Sequence, residues 1–426
     1  MYVRQSNLMK EQLTKPFKAI LYNKEKVEDV GACICPPYDV ITDKGLYLKK
    51  SDYNIIRLEL PQAEPPLDEY ESAKKIMTEW LKKKVLIEDK KDSIYVYEQK
   101  FIFNKKVYTR MGFVALNKID RDRVLIHEST RSKAKQDRER LISTLKAYTS
   151  FVFGLYEDRD NKIEDVLLQS KKSLLYMFVD ENSIENRIYK ISEKKELKEL
   201  CKLMEGKKIY IADGHHRLDV SYRLKMDYIP IYLTNMYSDS IIIWPYHRII
   251  TFKKQRSLYD LIKTLSEYGE IEKKTIINSN TIDDCIEIIS KEQRPSYAFY
   301  SKEDMNNLFI LKLERQIQFR EEIHDVLKRL KVNILHAGIL NNLLGIEEEE
   351  ISFTQEPHKF IEALKKGDID LIVLLPPTTV DEVKAVADNF LYMPPKSTFF
   401  FPKISTGPII YSYDKYRTGI EFDRKL

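Results

Sequence analysis

The chain has 426 residues, enough for two or three domains, and its 43% hydrophobic and 32% charged content is that of an ordinary globular protein. Lys and Arg number 71 against 66 Asp and Glu, and a net charge of +5 gives no indication of nucleic-acid binding. No run of about 18 apolar residues predicts a membrane span.

The opening stretch, MYVRQSNLMKEQLTKPF, lacks an apolar signal core, so the expected location is the cytoplasm. Residues 16–41 read as a strand, a helical turn or two, and an extended segment broken by Pro36-Pro37. NIIRLEL (54–60) reads as a strand, and PQAEPP (61–66) as a loop. Tyr70, Ala73, Met77, Trp80 and Leu81 recur at helical spacing. Residues 93–119 alternate as strands with a hairpin near Asn104-Lys105. Residues 124–148 run from a short strand through a charged loop into a helix. Strands are predicted at 150–158 and 174–181, and a helix at 192–205. Strands follow at 229–238 and 240–252. In the C-terminal third, helices are predicted around 258–265 and 323–330, and a buried strand at 368–375. Thr379 then opens a helix, with Glu382 three residues on, as in a capping box. Residues 393–411 are extended.

The four cysteines argue against a disulfide scaffold. Cys33 and Cys35 form a C-x-C pair, and Cys201 and Cys285 stand alone, which is too little for a structural zinc site.

Chemistry concentrates at Asp213-Gly214-His215-His216-Arg217. The apolar run Ile209–Ala212 leads in, and a helix leads out. A strand, a tight polar turn and a helix N-terminus form a setting that favours an anion. Asp213 offers a hard oxygen to a divalent metal. Gly214 allows close backbone approach. Arg217 suits phosphate oxygens, and His215 or His216 can neutralise charge or move a proton. The plainer alternative is a capped turn with structural histidines.

HEST-RSKAKQDR (127–138) places Glu128 beside His127, after a strand and ahead of Arg131, Lys133, Lys135 and Arg138. Glu128 suits a general base and the basic residues suit phosphates, although taken alone the segment reads more simply as a solvated loop. PPYDVI (36–41) offers Tyr38 and Asp39 on a proline-stiffened loop or a structural turn. PYHR (245–248) places His247 and Arg248 after an apolar strand. MPPKSTFFFPK (393–403) carries Lys396, Ser397 and Thr398, suited to phosphate or carboxylate, with phenylalanines that read as core. The Gly-rich phosphate loops, the nucleophile elbow and the kinase signatures are all missing from the sequence.

These motifs, in this order from about Pro16 to Tyr411, resemble a bacterial family known as domain of unknown function family 1015. That family continues its turn with a tyrosine and Glu-Thr-Ala, where this chain has Leu218-Asp219-Val220-Ser221. The stretch IYIADGHHRLDVSYRL is also similar, more distantly, to the second conserved box of the ParB/sulfiredoxin superfamily. Its free-serine kinases likewise pair an upstream His-Glu with this turn. The resemblance implies an α+β fold with a ParB/sulfiredoxin-like core. It divides the chain into an N-terminal α/β region (1–110), a nucleotide-binding core (111–255, with an insertion at 159–205) and a C-terminal α/β region (256–426). The implied activity is a nucleotide-dependent kinase for a small hydroxy compound, free serine foremost. Mg²⁺ and ATP or ADP are the implied cofactors. Glu128 would be the base, with Asp213 and His216 completing the catalytic set and Asp213 also holding the metal. Gly214, His215, Arg217, His127, Arg131, Lys396 and Ser397 would bind nucleotide phosphates, and Tyr38, Asp39, His247 and Arg248 the substrate. A ParB-type nucleotide-binding regulator and a nucleotide or phosphate hydrolase are the alternatives. No nucleic-acid or membrane partner is expected, and the sequence sets no oligomeric state. Because Glu128 and Asp213 lie 85 positions apart, the insertion must fold aside for the two motifs to cooperate.

Overall fold

A computed structural model of the chain describes residues 12–129, 132–277 and 280–414. The fold is α+β, and it divides into two compact units. One takes in the described residues of Met1–Leu125, Thr130–Ile241 and Pro402–Leu426; the other takes in Ile126–Ser129 and Ile242–Phe401. No helix among the described residues is long and apolar enough to cross a membrane.

The first unit is built on a nine-stranded mixed sheet. Its spatial order is Val124–Leu125, Ile209–Asp213, Val152–Tyr156, Tyr228–Asn235, Lys106–Lys118, Ile94–Phe103, Glu185–Ile191 and Ser173–Val179; Thr14–Lys15 pairs with Lys106–Lys118 off this path. The Ile94–Phe103 and Lys106–Lys118 strands form the expected hairpin, with Asn104 and Lys105 both at positive φ (46° and 63°). Two residues at positive φ are what a twisted two-residue hairpin turn demands. Interior strands are buried on both faces, which is why Ile209–Ala212 and Val152–Tyr156 read as unbroken apolar runs. The 159–205 segment supplies two helices, Lys162–Gln169 and Lys194–Leu203, and the two strands that extend the sheet at the end opposite Ile209–Asp213.

Two sequence expectations change here. Residues 54–60 are not a strand: Ile56–Glu59 is a short helix, because the Asn54 side chain accepts from the Ile56 N–H (2.9 Å) and donates to the Ala32 and Ile34 carbonyls. The 36–41 segment is not simply extended either, since Tyr38–Val40 makes a 3₁₀ turn behind Pro37.

The second unit has a six-stranded sheet in the order Gly269–Thr275, Asn307–Leu313, Ser296–Ser301, Leu371–Leu374, His247–Ile250 and Ile351–Thr354. Ile249, Ile282, Ile289, Leu308, Ile310 and Leu374 lie in its core. Thr379 and Glu382 form the expected capping box on the Val380–Asp388 helix. Ile334–Leu343 winds as a π-helix.

Candidate functional site

In the first unit the Ile209–Asp213 strand ends in Gly214, and the His215–Arg223 helix starts at once. Gly214 sits at φ 87°, and a Cβ there would lie 3.1 Å from the Arg217 guanidinium and from the Val152 backbone. The glycine therefore gives the turn its left-handed geometry and lets Arg217 fold back over it. Arg217, 5% exposed, donates to Asp213 Oδ2 (3.1 Å). Lys403 donates to Asp213 Oδ1 and lies 3.7 Å from Asp39 Oδ2. Burial pushes the Asp213 carboxyl up, but Lys403 and Arg217 outweigh it and bring it down to about 2.

Tyr38 joins this group through its ring, which lies 4.3 Å from the Arg138 guanidinium. Burial raises its phenol to about 12, against the pull of Arg217 and Arg138. Arg138 is itself buried and ion-paired to buried Glu59 (3.2 Å) and to Asp137 (2.7 Å). Glu59 also accepts from the Thr149 and Ser150 hydroxyls. Glu59, Arg138, Tyr148, Thr149, Ser150 and Arg217 line a small cavity. The first unit thus unites Tyr38, Asp39, Asp213, Gly214 and Arg217, with His215 buried and His216 half-buried on the same helix turn.

The second unit gathers the other motifs. The His127 ring Nε2 is 3.0 Å from Thr398 Oγ1, and Glu128, half-buried, forms a parallel bridge with Met393. Ser397 is buried and donates to the Pro394 carbonyl (2.6 Å). Lys396 Nζ is 3.4 Å from the Tyr246 hydroxyl, and its carbonyl accepts from Arg248 (3.4 Å). His247 and Arg248 are 1% and 0% exposed, within the sheet. Burial, with Arg248 beside it, takes the His247 imidazole down to about 3, and its Nδ1 accepts from the Leu375 N–H (3.3 Å). It is neutral at physiological pH. Arg131 lies outside the described residues, as do the side chains of Lys133 and Lys135.

Both oxygens of Asp213, the expected magnesium ligand, are engaged by cations. Among the described residues no group of three His, Cys, Asp or Glu side chains could hold a metal ion. The donor set does not fit a metal held by the chain alone.

Sequence reasoning missed Lys403 and Glu59. Lys403 lies at the end of a motif whose other lysine drew attention, and its role depends on a contact 190 positions away. Glu59 is a carboxylate inside an apolar run, which is itself a signal of a buried partner.

Several solved structures are similar at low identity. A free serine kinase variant in complex with AMP is 13% identical, covering 69% of this chain and 88% of that one, with a TM-score of 0.35. A conserved hypothetical protein from Pyrococcus furiosus is 13% identical, covering 70% and 94%, with a TM-score of 0.34. SbnI with a C-terminal truncation, from Staphylococcus aureus, is 9% identical, covering 68% and 85%, with a TM-score of 0.35. No curated protein matches the chain. The family model described as "Protein of unknown function (DUF1015)" matches residues 14–333, three quarters of the length, and the chain belongs to that family.

Proposed function

We propose that the chain is a nucleotide-dependent phosphotransferase that phosphorylates a small hydroxy compound, free serine foremost. One observation carries this reading. Val124–Leu125 and Ile209–Asp213 are neighbouring parallel strands, with Leu125 paired to Tyr210. Glu128 and Asp213 each follow that pair by three positions (125 to 128, 210 to 213). Parallel neighbours run in one direction, so the residues that follow them leave from the same edge of the sheet. The strands of the 159–205 segment add to the end of the sheet opposite Ile209–Asp213.

Phosphoryl transfer asks for positioning, charge neutralisation and a base at the nucleophile rather than a covalent intermediate. In this reading the Gly214–Arg217 turn and the helix N-terminus receive the phosphates of ATP or ADP, and Arg217 clamps them. His216 offsets charge beside them. Glu128 takes the proton of the acceptor hydroxyl. Tyr38 and Asp39 face the acceptor. A magnesium ion brought by the donor's phosphates would supply further charge neutralisation, and no group of three His, Cys, Asp or Glu side chains among the described residues would hold it.

Purified chain with serine, Mg²⁺ and either ATP or ADP is expected to yield phosphoserine. Glu128→Gln is expected to lower turnover by about a hundredfold or more while nucleotide binding persists. Absence of transfer to every hydroxy amino acid, with both nucleotides, overturns the assignment. Release of free phosphate regardless of acceptor would make the same site a hydrolase.

A further inference from the structure

The segment that delivers Lys403 is held by an unusual concentration of buried polar groups. Arg110, fully buried, donates to the Pro402 carbonyl and to Gln99 Oε1. Gln99, also fully buried, donates to the Lys403 carbonyl (3.1 Å) and to Asn186 Oδ1 (3.1 Å). The Tyr97 hydroxyl accepts from the Ser405 N–H (3.3 Å) and donates to Asn186 (2.9 Å). Thr406 then pairs with Cys35, immediately before the PPYD turn, and the Gly407 N–H donates to the Thr149 carbonyl (3.0 Å). Gly407 is at φ 102°, and a Cβ there would meet Ile55 at 2.8 Å, so only glycine lets the segment pass.

This framework brings one ammonium, 12% exposed, to Asp213. Asp213 does not need it for pairing, because Arg217 already engages the same carboxylate from one helical turn away. Two cations on one carboxylate, at the tip of a strand and the start of a helix, exceed what a structural ion pair requires. An ammonium has three donors and can serve a carboxylate and a phosphate oxygen together.

We propose that Lys403 is a phosphate-binding residue of the nucleotide site, held in readiness by Asp213 and Asp39 and neutralising phosphate charge once the nucleotide is bound. This rests on the reading that the Asp213–Arg217 turn receives a nucleotide. Lys403 lies beyond the residues that the family model matches.

The test compares binding of ADP and of adenosine, by calorimetry, to the full-length chain and to three variants: Lys403→Met, Asp213→Asn, and the two together. Lys403→Met is expected to weaken ADP by about ten- to a hundredfold, as loss of a charged hydrogen bond does, and to leave adenosine unchanged. Lys403→Met alone takes one of the two cations from Asp213 and so also changes the charge balance at the carboxylate, whereas the double variant removes both ends of the pair. The deciding comparison is therefore the double variant against Asp213→Asn. A phosphate-binding Lys403 makes the double variant about tenfold weaker for ADP; a lysine that merely balances Asp213 makes the two equal, which overturns the proposal. An unaltered chain that binds neither ADP nor ATP overturns instead the nucleotide reading beneath it.

Discussion

Asp213 is held between Lys403 and Arg217, and its ionisation is tied to the folded state. Its folded value of about 2 lies below its ordinary value of 3.8. A depressed acid stabilises the fold above its unfolded value and loses that contribution as pH falls through the folded one. The stability difference between the unaltered chain and Asp213→Asn is therefore expected to stay constant from pH 7 to about 4.5 and to shrink between about 4 and 2. Urea titrations across that range measure it, and a gap that widens on acidification would contradict the ion-pair account. Glu59 makes a sharper case. It is 1% exposed, and it neutralises Arg138, itself 2% exposed, while also accepting from Thr149 and Ser150. Glu59→Gln keeps the shape and deletes the charge, leaving the half-exposed Asp137 as the carboxylate paired with Arg138 among the described residues. Breaking a buried pair from one side costs about 3–5 kcal/mol, so the midpoint of urea unfolding should fall markedly. A change under about 1 kcal/mol would mean that Asp137 suffices as counterion.

Elements were legible in the sequence where local chemistry decides them. The Asn104-Lys105 hairpin, the helix holding Tyr70 to Trp80, and the Thr379 capping box follow from turn geometry, helical spacing and reciprocal capping, and the chain forms all three. Residues 54–60 failed because Ile56, Leu58 and Leu60 alternate as a strand would, while the deciding contact, Asn54 to Ala32 and Ile34, lies about twenty positions upstream. The site divides the same way. Asp213, Gly214 and Arg217 announce themselves because strand, turn and helix are contiguous. Lys403, Arg138 and Glu59 reach them only through long-range packing, and no local spacing encodes that. His247 shows the opposite case: a histidine in a polar-looking motif lies in an interior strand of the second sheet, accepting a backbone N–H, and contributes no charge between pH 5 and 8.

At the scale of the whole molecule, the chain passes from one unit to the other at Leu125, Ser129, Ile241 and Phe401. Neither unit is therefore a single stretch of sequence, and the first owes part of its core to the last described residues. Ile409 and Ile410 are fully buried, Ile410 bridges Ile20, and Tyr411–Ser412 pairs with Ala147–Tyr148. The two tryptophans allow each unit to be followed separately. Trp80 lies in the first, packed on Tyr22 and Tyr53; Trp244 lies in the second, stacked on Phe399 and Phe401. In a Trp244→Phe background the fluorescence of Trp80 reports the first unit alone. Ending the chain after Phe401 removes two buried isoleucines and a strand partner from that unit but none of the aromatic stack around Trp244. Loss of two such side chains costs several kcal/mol at about 2–5 kcal/mol each. The Trp80 transition is expected to move to clearly lower urea in the shortened chain, or to be absent because the unit no longer folds. With Trp80→Phe instead, the Trp244 transition should stay in place. An unmoved Trp80 transition would mean that the 402–412 segment rests on the first unit without holding it together.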